Sequence, residues 1–273
     1  MNGRLERALN YGILTVFSVV ALYPIVGLVL TALQPSGTLA RGFEIPDRLS
    51  FGNFADAWTQ GHFSQYLRSS AIVTVSVVAA STLLSVLSGY AFGAMRFRGG
   101  TLLFYLFLLG LMVPLEAMVI PLYYDLRSLA LTDTYWALIL PQVGLSVAFG
   151  TFWMRAFFRS TPRSITEAAQ IDGASTWTTL WRILVPMARP AILTMITLIF
   201  MWTWNEFLLA LVMVSSEGLR TAPLGLAFFQ GAHTSDLSLL AAGALIVALP
   251  VVVVYVFLQR HFIRGMLSGA VKS

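Results

Sequence analysis

Six apolar stretches, at residues 11–33, 71–95, 101–124, 135–157, 191–214 and 238–259, dominate this sequence of 273 residues. A helix that crosses a bilayer needs roughly 20 mostly apolar residues, and each stretch reaches that length. Inside hydrocarbon no water is available to the backbone, so every N–H and C=O must be satisfied within a helix or a closed barrel. The runs are apolar on every face, which excludes the alternating pattern of a membrane barrel. Composition agrees, with 58% hydrophobic residues, 11% charged residues and a mean hydropathy of +0.79, far from the balance of a soluble globular chain. The expected fold class is all-α, a polytopic membrane protein with six transmembrane helices in one domain spanning residues 1–273. The first run is longer than a signal-peptide core and no small-x-small site follows it, so it reads as a retained helix.

Arginine and lysine placement sets the expected orientation, because positively charged short loops stay on the cytoplasmic side. Arg4, Arg7, Arg96, Arg98, Arg155, Arg159, Arg163, Arg182, Arg189, Arg260, Arg264 and Lys272 fall on one side; Arg41, Arg48, Arg68, Arg127 and Arg220 fall on the other. Both termini are therefore expected in the cytoplasm. The basic pI of 9.8 follows from this topology and not from nucleic-acid binding, since no basic stripe carries interleaved aromatic residues.

Elimination narrows the chemistry. Cysteine is absent, which excludes disulfides, thiolate metal sites and thiol catalysis. His62, His233 and His261 lie in outer loops and at the last helix end, with neither an H-E-x-x-H nor a G-x-S-x-G pattern. A phosphate-cradling P-loop needs a lysine after its glycines, and the only lysine is Lys272. No catalytic, cofactor-binding or metal site is expected in this chain.

Within the second run Ser81, Ser85, Gly89 and Gly93 recur every four residues, forming a face that lets another backbone approach closely. That face serves packing within the chain or a seam between subunits. Pro24, Pro114, Pro121, Pro141 and Pro250 interrupt runs, each removing a helical hydrogen bond. The acids inside the runs are Glu116 and Glu206, and an ionised carboxylate in hydrocarbon needs a cavity, a partner or an interface. Glu116, near two prolines, suits a structural role or a place on a solute path. Glu206 follows Trp204 and Asn205, a set of aromatic face and hydrogen-bonding groups that suits a sugar; the alternative is an interhelical hydrogen bond.

Residues 162–190 are too polar for lipid and too patterned for a linker. Thr161 and Pro162 suit a helix start, Ser164-x-x-Glu167 fits a capping box, and Gly173 suits a C-terminal cap. A second helix is expected from Ser175 or Thr176, with Trp177, Leu180, Trp181 and Leu184 on one apolar face and Pro186 at its end. The expected product is a hairpin of two short helices presenting Ala168 and Ala169 to a partner, or else lying on the membrane surface.

The segment EAAQIDGASTWTTLWRILVP resembles the EAA loop of ABC importer permeases, in which EAA is followed after three residues by Gly and, nine residues later, by Ile-x-Leu-Pro. Glu167, Ala168, Ala169, Gly173, Ile183 and Pro186 match, and Val185 replaces the usual leucine. NFADAW, YLRSS, IPLYYDLRSLALTDTYWALILP, WNEFLLAL and FIRGMLSGAVKS extend the resemblance across the chain, toward the carbohydrate branch and its shorter, second membrane subunit of maltose type. Ser69 stands where relatives commonly have asparagine. The resemblance implies a type I ABC importer permease (MetI-like) fold and a coupling hairpin in which Glu167, Ala168, Ala169, Asp172, Gly173, Ile183 and Pro186 meet an ATPase. It implies a second permease subunit, a cytoplasmic ATP-binding dimer that holds ATP and Mg, and an extracytoplasmic solute-binding protein. A carbohydrate would cross a bacterial cytoplasmic membrane by alternating access, with Trp204, Asn205, Glu206 and Glu116 as candidate path residues. Permeases for other solutes share the loop, and a membrane scaffold subunit is the remaining alternative.

Overall fold

The computed structural model describes residues 3–37, 43, 45–46, 48–232 and 236–270, with side chains throughout except at 4, 5 and 260–270. Arg41, His233 and Lys272 lie outside the described residues, as do the side chains of Arg4, Arg260, His261 and Arg264 and most of the matched tail. Every regular element among the described residues is helical. Four helices are long and apolar enough to cross a membrane, or up to six if each of two sharply bent pairs forms one span. The chain divides into two compact units.

The first unit takes residues 1–64 and 225–249. Its opening helix, α1 (Gly3–Ala32), carries Pro24 inside it; its most apolar 18-residue stretch buries no residue within the chain, and among its described side chains burial is reached only at Ala32. The C-terminal carbonyls of a helix lack internal donors, and here Asn53, at the start of α2 (Gly52–Gln60), supplies them. Its Nδ2 donates to the Ala32 carbonyl at 2.8 Å and the Gln34 carbonyl at 2.7 Å, while Ser36 Oγ donates to its Oδ1 at 2.8 Å. The NFADAW segment thus opens a short helix that clasps the end of α1.

The second unit takes residues 65–224 and 250–273. Its frame is α3 (Phe63–Ala94) against α6 (Tyr135–Ser160). The small-residue face of α3 is used here, inside the chain. A Cβ on Gly89 would fall on Met154 Cβ and within 3.0 Å of the Arg155 amide nitrogen; one on Gly93 would come within 2.9 Å of Phe158 Cβ. From the other side, a Cβ on Gly150 would collide with the Ser85 hydroxyl. Ser88 and Thr151 join hydroxyls across the seam at 2.6 Å.

The third run is not one straight span. It divides into α4 (Gly100–Met112) and α5 (Leu115–Ser128), bent by 99°. Pro114 lacks an amide hydrogen and pushes Val113 into extended backbone, φ −85° and ψ 118°, so the helix cannot run through. The fifth run divides similarly into α10 (Arg189–Trp204) and α11 (Leu208–Met213). After α11 a 3₁₀ turn (Glu217–Leu219) leads into α12 (Ala222–Ala232), most of which belongs to the first unit, and α13 (Leu237–Ala270) is divided between the two units. The core of the second unit gathers Leu138 and Met154 from α6, Met195 and Ile199 from α10, and Leu209 and Met213 from α11, all essentially buried.

Gly89→Ala should lower the thermal unfolding midpoint of the detergent-purified chain, because the seam is full and overpacking costs about 1–3 kcal/mol. Gly144→Ala on α6, where an added Cβ meets nothing within 4 Å, should leave the midpoint unchanged or raise it. Equal behaviour of the two variants would refute the seam.

Candidate functional site

The expected hairpin forms. Its first helix, α7 (Arg163–Ile171), starts behind Pro162, but no side chain caps it. The Ser164–Glu167 capping box is therefore absent. Pro162 holds the N-cap position, Ser164 is already inside the first turn, and Ser160 and Thr161 hydroxyls turn back to the Phe157 carbonyl at 2.8 and 3.2 Å. The helix ends as expected at Gly173, whose φ of +77° is the left-handed conformation glycine adopts without strain. The Ala174 amide bonds the Ala169 carbonyl at 2.9 Å and the Gly173 amide bonds the Gln170 carbonyl at 3.0 Å, which is a Schellman closure.

Ser175 then caps the second helix, its Oγ accepting from the Thr178 amide at 3.2 Å. That helix runs as α8 (Thr176–Thr178), a π turn (Thr179–Leu184) and α9 (Val185–Met187). Pro186 does not end it, contrary to the sequence expectation. Proline has no amide for the carbonyl four residues earlier, and the wider π turn just before it lets the helix carry on to Met187, after which α10 departs at 77°. Leu180 and Leu184 are 2% and 1% exposed, sunk into the core with α6 and α10. The hairpin is thereby anchored to protein, and it does not merely rest on lipid.

Its outer side carries Glu167, Ala168, Asp172 and Gly173, all exposed, with Ile171 at 85% and Trp177 at 63% exposure. Ala169 departs from expectation: it is buried, facing inward as a small spacer. Ile183 is half-buried and Pro186 exposed. Trp177, expected on one apolar face with Leu180, Trp181 and Leu184, sits one turn too early to be buried, and its ring meets Trp181 edge-on at 5.5 Å.

Of the candidate path residues, Trp204, Asn205 and Glu206 follow one another at the break after α10, and Glu116 lies in α5. Trp204 is 5% exposed and stacks on Phe200 at 5.6 Å. Asn205 is exposed, its Nδ2 donating back to the Met201 carbonyl at 2.8 Å. Glu206 accepts from the Leu209 amide at 2.7 Å with one carboxylate oxygen and from the Ala210 amide at 3.2 Å with the other. It caps α11, where free amides and the positive helix end favour an anion. Glu116 stands exposed in the first turn of α5, on the far side of the Pro114 bend.

Polar residues without an assigned role stitch one end of the second unit. Asp133 accepts from the amides of Ser215 and Ser216 at 3.0 and 2.8 Å and from the Ser216 hydroxyl. The Ser216 hydroxyl first, and then these amides, hold its carboxyl below the usual carboxylate value. Ser69 pairs with the Tyr135 hydroxyl at 3.0 Å and donates to the Gly218 carbonyl at 3.2 Å, and Tyr66 donates to Glu217 at 3.1 Å. The signal for Asp133 was its place just before the apolar run at Tyr135, where helices start. Among the described residues no cluster of three or more His, Asp or Glu side chains is arranged to hold a metal.

Glu206→Leu should lower the unfolding midpoint by the equivalent of about 0.5–2 kcal/mol, the worth of a helix cap. Glu206→Gln retains one acceptor and should lose less. Wild-type stability in Glu206→Leu would remove the capping role.

Comparison with known proteins gives these features a family. Residues 81–268 match the family described as the binding-protein-dependent transport system inner membrane component. A probable ABC transporter permease protein, YurM of Bacillus subtilis, is 34% identical over 95% of this chain and 87% of its own. The diacetylchitobiose uptake system permease protein NgcG of Streptomyces coelicolor is 30% identical over 96% of this chain and 88% of its own. Among solved structures, a bacterial ABC transporter involved in the import of alginate contains a chain with a TM-score of 0.79 and 25% identity, covering 95% of this chain and 97% of that one. The anchored hairpin and bent membrane helices described above are therefore those of a member of the binding-protein-dependent transport system inner membrane components, the permeases of ABC transporters.

Proposed function

We propose that this chain is the membrane-spanning subunit of an ATP-driven importer of a carbohydrate or sugar-like solute. The observation that carries this reading is the two-sided hairpin. Ile171 and Trp177 face outward while Leu180 and Leu184 are locked among the side chains of α6 and α10. Exposed aromatic and aliphatic side chains beside small residues are what a partner's cleft engages. A close-packed core transmits displacement without absorbing it, so a push on α7 reaches the membrane helices. The partner delivering that push is a cytoplasmic ATPase pair carrying ATP and Mg, with Glu167, Ala168, Asp172 and Gly173 at the contact. Ile183 and Pro186 shape the second helix behind it.

A second permease chain completes the solute path, and a solute-binding protein docks at the end stitched by Asp133, Ser69 and Glu217. The relatives support the solute class: one is named for diacetylchitobiose uptake, and the solved neighbour imports an acidic polysaccharide. In this reading Glu206 supports the break between α10 and α11, and Trp204, Asn205, Glu206 and Glu116 are the candidate path residues, of which Asn205 and Glu116 are exposed.

The deciding experiment is ATP turnover by the purified, reconstituted transporter with its binding protein across a panel of sugars. A sugar should stimulate hydrolysis, and Gly173→Pro and Glu167→Lys should abolish stimulation while the chain still inserts. Stimulation only by an amino acid or ion would overturn the solute class, and unchanged stimulation in both variants would overturn the coupling role.

Both termini and the hairpin lie in the cytoplasm in this reading, on the strength of the arginine distribution. In a chain without native cysteine, Gln170→Cys on the exposed side of α7 should react with an impermeant thiol reagent only after the cytoplasmic face is opened. Reaction in intact cells would invert the topology.

A further inference from the structure

The seam between α3 and α6 delivers an arginine into an apolar junction with no carboxylate partner among the described residues. Arg155, half-buried on α6, donates from Nε to the Phe92 carbonyl at 3.3 Å, one of the last carbonyls of α3. Its guanidinium carbon stands 3.7 Å from the centroid of Phe104 on α4. These two contacts use one donor and one face of a group with five N–H donors. Among the described residues no carboxylate pairs with Arg155. Sequence explains the gap: no Asp or Glu lies between Asp56 and Glu116, nor between Asp133 and Glu167. Arg159, exposed, follows one helical turn later on the same face of α6, and two like charges at that spacing repel. A half-buried cation facing only another cation calls for an external anion.

The neighbouring surface indicates which anion. Leu102, Tyr105, Leu106 and Leu109 are all exposed on α4, and their i, i+3, i+4, i+7 spacing makes one apolar stripe. Phe104 points the other way and is buried. Tyr105 belongs to the stripe, and its ring lies 6.1 Å from that of Phe104, the ring under the Arg155 guanidinium, so cationic and apolar surfaces adjoin. The turn between α3 and α4 adds exposed Arg96 and Arg98. A free anion would have no use for the stripe; a molecule with a phosphate at one end and a hydrocarbon tail uses both.

We propose that Arg155 and Arg159 bind the headgroup phosphate of an anionic phospholipid whose acyl chain lies along the Leu102–Leu109 stripe of α4. The ligand acts as the counterion of the α3–α4–α6 junction, so anionic lipid is a structural constituent of the second unit.

The test uses the assembled transporter in nanodiscs of phosphatidylcholine doped with phosphatidylglycerol, followed by detergent extraction and mass-spectrometric counting of retained lipid. Wild type should retain phosphatidylglycerol in preference to phosphatidylcholine. Arg159→Gln, which breaks no described internal bond, should reduce that preference roughly fivefold, the scale of one basic side chain at an anionic surface. Arg155→Gln should do the same and also lower the unfolding midpoint, because Phe92 loses its donor. Excess inorganic phosphate should not displace the lipid. Three results would overturn the proposal: unchanged phosphatidylglycerol retention in Arg159→Gln; displacement by inorganic phosphate, which marks a free-anion site; or loss of a partner subunit with lipid retention intact, which marks a protein carboxylate as the counterion.

Discussion

The second unit depends on how closely α3 and α6 approach. Gly89 and Gly93 on one helix and Gly150 on the other remove the side chains that would hold the backbones apart. In hydrocarbon there is little hydrophobic drive between two apolar helices, so intimate van der Waals contact and hydroxyl pairing take its place. The Ser88–Thr151 pair supplies the second of these. Everything else in the unit is referred to that seam: Met154 enters the core from it, Arg155 reaches the end of α3 because of it, and α4 and α10 pack against the other sides of α6.

The breaks in the spans each have a local cause and a local repair. At Val113–Pro114 the chain loses a donor and turns by 99°, and α5 begins afresh with an acid, Glu116, in its first turn. After Trp204 the opposite device operates, as Glu206 supplies two acceptors to the amides that open α11. Non-helical backbone at membrane depth is tolerated only where its polar groups find such partners. Both acids that stood out in the apolar runs thus sit at helix N-termini, where the dipole favours negative charge.

Much of this was legible in the sequence, for reasons that differ by feature. The six apolar runs and the hairpin's glycine are strong signals because each has a single physical solution: a run must be helical in lipid, and a left-handed residue at a helix end is most easily glycine. The Ser164–Glu167 pair misled because a capping box depends on one residue of register, and Pro162 had already taken the cap. Trp177 was misplaced for a similar reason, since an apolar periodicity does not say where the buried face begins. Pro186 was read as a terminator because sequence reasoning assumed an α-helix, and a π turn removes the conflict. For Arg155 the sequence shows only a charge at a helix end with no nearby acid along the chain; what it faces depends on where α3 and α4 pack.

The bare first helix carries a different consequence. Since the most apolar 18-residue stretch of α1 buries no residue within the chain, this fold asks little more of most of those positions than that they be greasy and helical. Nearly any exchange among Leu, Val, Ile and Phe there satisfies the requirement, whereas one added methyl group at Gly89 does not. Substitutions should therefore accumulate freely in α1 and scarcely at all along the seam. The match to the family model begins at residue 81, with the first serine of the small-residue face of α3.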